Sequence, residues 1–336
     1  MSEKAIKNSD ILFIYDAKLC NPNGDPDDEN KPRMDYETQR NLVSDVRLKR
    51  YIRDYLMGLK NNSGTPIYEI FVSQVEGETV DATNRLKKLI GKYRDEIENN
   101  EELKDLINKD GKPQEKELSK HIDWLLSKLI DIRLFGATMP LKSEERGASI
   151  TFTGPVQFNW GYSLNKVQIV ESSTITSTFA GRGEEYSTMG KDWRVYYSLI
   201  AFHGIISGKR AEKTKLSEGD IKLFDNALLE AIPLQATTRS KIGQTPRLLI
   251  RIEYKDDATF LGDLRKYVKV KPEENLRDIN ELKLDISNLI DLIKKNINKI
   301  NKIYLWKHED LEVEGNELEN SIRGLGIDVE NLPHLK

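Results

Sequence analysis

The residues most open to chemistry lie in one short run, NPNGDPDDENKPR, from Asn21 to Arg33. It carries carboxylates at Asp25, Asp27, Asp28 and Glu29, with Lys31 and Arg33 close behind. Clustered carboxylates suit a divalent cation, but a calcium loop needs glycine at its sixth position and glutamate at its twelfth. Counted from Asn21 those positions hold Pro26 and Pro32; counted from Asp25 they hold Asn30 and Tyr36. The count disfavours calcium. The proline and glycine spacing suits a rigid turn presenting backbone amides beside Lys31 and Arg33, with an ordinary solvated turn as the alternative.

A second run, AGRGEEYSTMGKDW, offers Gly181, Gly183, Gly190 and Lys191 as a phosphate loop. Such a loop needs four residues between its glycines and a Ser or Thr after the lysine. Here Gly183 and Gly190 stand too far apart and Asp192 follows, so nucleotide hydrolysis is disfavoured. A β-hairpin tip carrying Arg182, Tyr186, Met189 and Lys191 fits the composition, as does a plain loop. His121, His203, His308 and His334 are scattered without ligand spacing, and Cys20 is the only cysteine. A disulfide within the chain is impossible, and no nucleophile motif is visible. Enzymatic chemistry has no foothold in these patterns.

The cations carry more. In SDVRLKRYIRDYL, Ser44 is a good N-cap, Asp45 suits the first turn, and Gly58 offers a stop. Helical spacing puts Leu48, Ile52, Tyr55, Leu56 and Leu59 on one arc, with Lys49, Arg50 and Arg53 expected on the other side and Arg47 flanking. Asp45 with Lys49, and Arg50 with Asp54, are spaced for i,i+4 pairing and would account for two of the four cations. A solvated face and an anion-binding face are both open at this point. The aromatics Phe152, Phe158, Trp160 and Tyr162 could stack bases, although alternate spacing in a strand more often means core.

These residues need a frame. SDILFIYDAKL (Ser9 to Leu19) reads as a buried first strand, PIYEIFVSQV (Pro66 to Val75) as a second, and RVYYSLIAFHGIIS and RLLIRIEY as later ones. SEGDIKLFDNALLEAI reads as a capped helix. A Lys/Glu/Asn-rich stretch over 81–147 reads as a mainly helical insertion between the halves 1–80 and 194–256, and 148–193 as a β-rich excursion. The tail 257–336 is charged and expected to be mainly helical, around LDISNLIDLIKKNINKI. The order predicts an α+β fold with a ferredoxin-like sheet and large excursions. With 336 residues, 38% hydrophobic and 32% charged, the chain suits a soluble globular protein. A net charge of −3 means that any polyanion must be met by one sorted face. The N-terminus has no apolar signal core, and a reducing, cytoplasmic setting without a membrane is expected.

Three linked segments carry a family pattern: NPNGDPDDENKPR with NLVSDVRLKRYIRDYL, then RLFGATMP (Arg133 to Pro140), then TGPVQFNWGYSLNKV (Thr153 to Val167). With YYSLIAFHGIIS they resemble the crRNA-binding backbone subunit, of the RAMP superfamily, in type I CRISPR Cascade surveillance complexes. The NGDP loop with DVRLKR looks most like the type I-B branch, with type I-C similar. The resemblance implies a right-hand-like protein in antiviral defence: an RRM-type palm, helical fingers and a β-hairpin thumb. Copies would stack head to tail along one crRNA as a helical filament and present the guide to target DNA, without catalysis or cofactor. Its other partners would be the 5'-handle-binding subunit, the large subunit, the crRNA-processing endoribonuclease and, indirectly, the effector nuclease-helicase. Carried over by position, Ser44, Arg47, Lys49, Arg50 and Arg53 would grip guide phosphates, with Asn21, Asn23, Gly24 and Arg33 beside them. Phe179, Arg182, Tyr186, Met189 and Lys191 would lie in the thumb, Tyr186 or Met189 displacing a base. The alternative within the superfamily is a metal-dependent endoribonuclease using an acid of 25–29, such as Asp25 or Asp27.

Overall fold

A computed structural model describes residues 5–73, 81–142, 149–171, 174–180, 187–315 and 318–334. In chain order, strands β1 (Ser9–Cys20), β2 (Gly24–Asp25), β3 (Lys31–Pro32), β4 (Met34–Asp35) and β5 (Arg40–Val43) lead into helix α1 (Asp45–Gly58). Helices α2 (Ala82–Lys92), α3 (Arg94–Glu98), α4 (Ile122–Lys128) and α5 (Ile130–Phe135) follow, then strands β6 (Gly136–Lys142), β7 (Ser149–Thr153), β8 (Val156–Phe158) and β9 (Gly161–Ser163). After β10 (Thr174–Ala180), β11 (Ser187–Lys191) and β12 (Val195–Ile206) come α6 (Gly208–Thr214), α7 (Glu218–Gln235) and β13 (Gln244–Tyr254). The C-terminal part holds β14 (Lys269–Lys271), β15 (Lys283–Asp285), α8 (Ser287–Lys295), β16 (Ile300–Lys307), α9 (Leu318–Arg323) and β17 (Asp328–Asn331). The chain divides into two compact units, one holding 56–157 and 207–221 and the other 7–55, 158–206 and 222–336.

The second unit is built on a sheet in the order β17-β16-β13-β1-β12-β9-β5-β4. Its centre is β1, an apolar run too continuous for a half-exposed strand, and Ile11, Leu12, Phe13 and Ile14 have no exposed surface. Leu12 and Ile14 join Leu248, Ile250 and Ile252 of β13 and residues from Leu264 to Val329 in one apolar cluster. On the opposite face Tyr15 stacks on Phe202, Phe202 meets Phe158 edge-on, and Phe158 meets Phe224 of α7, with centroids 6.2, 6.2 and 6.1 Å apart. Arg251 on β13 is buried, donating from Nε and Nη2 to Asp225 of α7, and lies 3.7 Å from the Tyr304 ring. Helices therefore cover one face of the sheet and the C-terminal part covers the other.

That second cover corrects the expectation of a mainly helical tail over 257–336. Only α8 and the short α9 match it; β16 pairs antiparallel with β13, and β17 parallel with β16. Ile300, Ile303 and Leu305 are buried while Asn301 is exposed, a strand signature hidden behind a Lys/Asn-rich helical run.

The other unit is mostly helical over 81–135, with a core of Leu86, Leu89, Ile90, Leu125, Leu126 and Met139 among others. The strand expected over Pro66–Val75 is not formed in its described part, which makes only isolated bridges, Lys60 with Pro66 and Glu69 with Leu129. The amides of Phe71 and Val72 instead donate to the buried Asp131 carboxylate, at 2.8 and 3.1 Å. One side chain thus supplies the acceptors a neighbouring strand would have given. Arg133 holds Asp220 with two nitrogens, at 2.9 and 2.7 Å.

In the same unit the RLFGATMP and TGPVQF segments meet where β6 pairs with β7, Gly136 opposite Thr153. A Cβ on Gly136, whose φ is +72°, would lie 2.1 Å from the Phe152 carbonyl oxygen. Only glycine fits so close a backbone approach. Gly136→Ala is expected to destabilise this unit by about 2 kcal/mol or more. Calorimetry checks it; an unchanged melting profile would refute the close approach.

Candidate nucleic-acid interface

Strand register decides which loops meet. Cys20 at the end of β1 pairs with Val195 at the start of β12, and Ala17 pairs with Gln244 at the start of β13. The segments beyond those points therefore gather at one end of the sheet: 21–33 after β1, 192–194 before β12, and 236–243 before β13. The register is backed by direct bonds. The Asn21 amide donates to the Ser240 carbonyl at 2.8 Å, and Arg194 Nη1 donates to the Leu19 carbonyl at 2.7 Å.

Within the first loop, β2 pairs with β3 as a two-residue ladder. A Cβ on Gly24 would stand 2.7 Å from the Asn30 carbonyl oxygen, so Gly24 lets the loop close on itself. Asn21 Nδ2 donates to that same carbonyl at 2.7 Å. Asn23 joins the loop to α1: its Oδ1 accepts from the Ser44 amide at 2.8 Å and the Ser44 hydroxyl at 2.9 Å. Ser44, expected as an N-cap, thus spends its hydroxyl proton on Asn23. Two of the four carboxylates are neutralised within the loop, Asp25 by Arg33 at 3.0 Å and Asp28 by Lys31 at 3.0 Å.

Cations from all three loops surround this point. Lys31 Nζ lies 5.0 Å and Lys191 Nζ 5.7 Å from the Trp193 ring centroid, and Arg33 lies 5.7 Å from that of the exposed Trp160. Arg194 and Arg239 share Asp192, at 2.8 and 2.9 Å. Arg47 stacks on Tyr51 at 4.0 Å, and Lys241 Nζ donates to the Asn21 carbonyl at 2.6 Å. Burial first, then the Arg47 guanidinium, push the Lys241 ammonium down to about 8. Arg47 and Lys241 have no ion pair with a carboxylate among the described residues.

The sequence-predicted residues divide accordingly. Asn21, Asn23, Gly24, Arg33, Ser44 and Arg47 come together here. Lys49 does not show the open cationic face expected of it: it is 8% exposed and holds Asp45 at 3.0 Å. The physical reason is angular, since Lys49 and Arg47 stand roughly 160° apart around a helix. Lys49 therefore borders the buried arc of Leu48, Ile52 and Leu56. Arg50 is exposed and paired with Asp54 at 2.7 Å, and Arg53 is half-buried. Lys191 is exposed at the base of the β10/β11 hairpin, opposite Thr174. The side chains of Phe179 and Met189, and Arg182 and Tyr186 entirely, lie outside the described residues. Phe158 is buried and Tyr162 packs on the core, leaving Trp160 as the exposed ring of that segment. Sequence reasoning missed Lys241, Arg239 and Arg194; only the strand register makes them neighbours of Asn21.

Among the described residues no group of three or more His, Cys, Asp or Glu is placed to hold a metal. No helix there is long and apolar enough to cross a membrane. The Asn23 link yields a direct test. Asn23→Ala leaves the buried Ser44 amide and hydroxyl without their acceptor, at an expected cost of about 1–2 kcal/mol. Urea unfolding reads it, and an unmoved midpoint would mean that the link carries no stability.

The profile of the family described as CRISPR-associated protein Cas7 matches residues 7–287. The chain is similar to a CRISPR-associated protein Cas7 of Haloferax volcanii, 29% identical over 326 residues covering 92% of this chain and 89% of the relative. In fold it is similar to a chain of a CRISPR RNA-guided surveillance complex, pre-nicking, with a TM-score of 0.51 at 12% identity, covering 95% of this chain and 99% of the other.

Proposed function

The chain belongs to the CRISPR-associated Cas7 family, and on that premise we propose that it binds crRNA as the backbone subunit of a type I Cascade complex. The observation that carries this is the convergence of Lys31, Arg33, Arg47, Lys191, Arg194, Arg239 and Lys241 at one end of the sheet, in a chain whose net charge is −3. Sorted cations on an otherwise acidic molecule suit a polyanion met on one side. Phosphate contacts of this kind read backbone and shape, so sequence specificity would rest on guide pairing with target DNA.

The finer parts follow from the same premise. The strand order β13-β1-β12-β9, with α1 and α7 on one face, supports a ferredoxin-like, RRM-type palm. The helical stretch within 81–147 is proposed as the fingers, and the hairpin β10/β11 within 148–193 as the thumb closing over the guide. Copies would repeat head to tail along the RNA, joined by the handle-binding, large and processing subunits. The type I-B assignment rests on the NGDP loop with DVRLKR. A nuclease using Asp25 or Asp27 has less support at Asp25, whose carboxylate Arg33 already holds.

The chain, purified from cells carrying a guide array, is expected to bring down small RNA of uniform length with several subunits per strand. Arg47→Glu should lower RNA affinity at least about tenfold, and Arg50→Glu, one turn on and paired with Asp54, by less. A nucleic-acid-free monomer from such cells would overturn the function. Equal effects of the two substitutions would overturn the placement of the site.

A further inference from the structure

Lys241 and Arg47 form an arrangement that folding alone does not favour. Both are half-buried, they act on each other as like charges, and among the described residues neither has an ion pair with a carboxylate. The groups around them can be named element by element. From β1 come the Cys20 thiol, which burial pushes up to about 12, and the Tyr15 phenol, which burial raises well above its usual range. Both are neutral near neutral pH. The Asp16 carboxylate lies 3.0 Å from Arg247 Nε and is committed there. From α1 comes Tyr51, whose ring carries Arg47 and whose hydroxyl accepts from Gln244 Nε2 at 3.1 Å. Arg194 and Arg239 add two further cations, and Asp192 is shared between them. Three polar atoms here, Arg47 Nε, Asn21 Oδ1 and Gln244 Oε1, are buried without a hydrogen-bond partner. Each such group costs free energy unless something completes it, and of the three only the Arg47 Nε donor can be completed by an anion's oxygen.

We propose that Lys241 and Arg47 clamp one phosphodiester between them, and that loading of the strand is therefore linked to pH. The clamp rests on the RNA-binding function proposed above and assigns to it a lysine that no motif marks. A phosphate between the two cations removes their repulsion and supplies the missing anion. It also favours the charged form of Lys241, so the complex holds a proton that the free protein gives up above about pH 8. The sign follows: affinity is full below that value and falls as pH rises above it, by at most about tenfold per pH unit for one group.

The test uses the full chain freed of bound RNA and an adenine-only oligoribonucleotide, whose bases do not titrate in this range. Fluorescence anisotropy is read from pH 7 to 9 at fixed ionic strength. Wild type should weaken above pH 8. Lys241→Gln should bind roughly tenfold more weakly at pH 7 and lose the pH dependence. Its slope of log affinity against log salt should shrink by about 0.7, the value of one phosphate on a single strand. Lys241→Arg, which stays charged throughout, should bind with a flat pH profile and guards against a misfolded glutamine variant. Wild-type binding that Lys241→Gln leaves unchanged, pH slope included, would overturn the clamp alone. Failure of wild type to bind any oligoribonucleotide would overturn the RNA-binding function and the clamp with it.

Discussion

The structure depends on one strand being buried on both sides. Ile11 to Ile14 of β1 are fully enclosed, Leu12 and Ile14 under the C-terminal part, Ile11 and Phe13 toward the helical face. A sheet covered in this way has no open face on which bases could stack, as they do on the bare sheet of a simple RRM. Whatever the protein holds must be met at the ends of its strands, where loops emerge from a fixed frame. The antiparallel register of β12 and β13 on β1 then decides which loops those are.

Electrostatics at that end follow two different rules. Asp25 and Asp28 serve the loop's own cations, Arg33 and Lys31, which makes an acidic run more compatible with a neighbouring anion. Among the described residues Arg47 and Lys241 have no carboxylate partner, and the protein tolerates their repulsion beside an unsatisfied Arg47 Nε. Sites that give up stability in this manner are where ligands do the completing.

Much of the frame was legible because it rests on strong local signals. The run ILFIY, the capped helix before Gln235 and the Lys/Glu-rich helical stretch all declare themselves by apolar periodicity. β16 did not, since Lys and Asn surround its alternating Ile303 and Leu305. The expected strand after Pro66 failed because a distant carboxylate, Asp131, supplied its hydrogen bonds, which no local pattern records. In the site, the NGDP turn and Arg47 could be read from motif and spacing. Lys49 was placed on the wrong side because an i,i+2 neighbour of Arg47 was counted on the open face. Lys241 sits in an unremarkable loop and gains meaning only from the pairing of Ala17 with Gln244.

Hydrogen–deuterium exchange of the full chain with and without its guide RNA tests the central claim most directly, because it reports where the strand lies without altering a residue. Slowed exchange is expected in 21–33, 44–51 and 236–244 together. Protection confined to other segments, with these three unchanged, would contradict it.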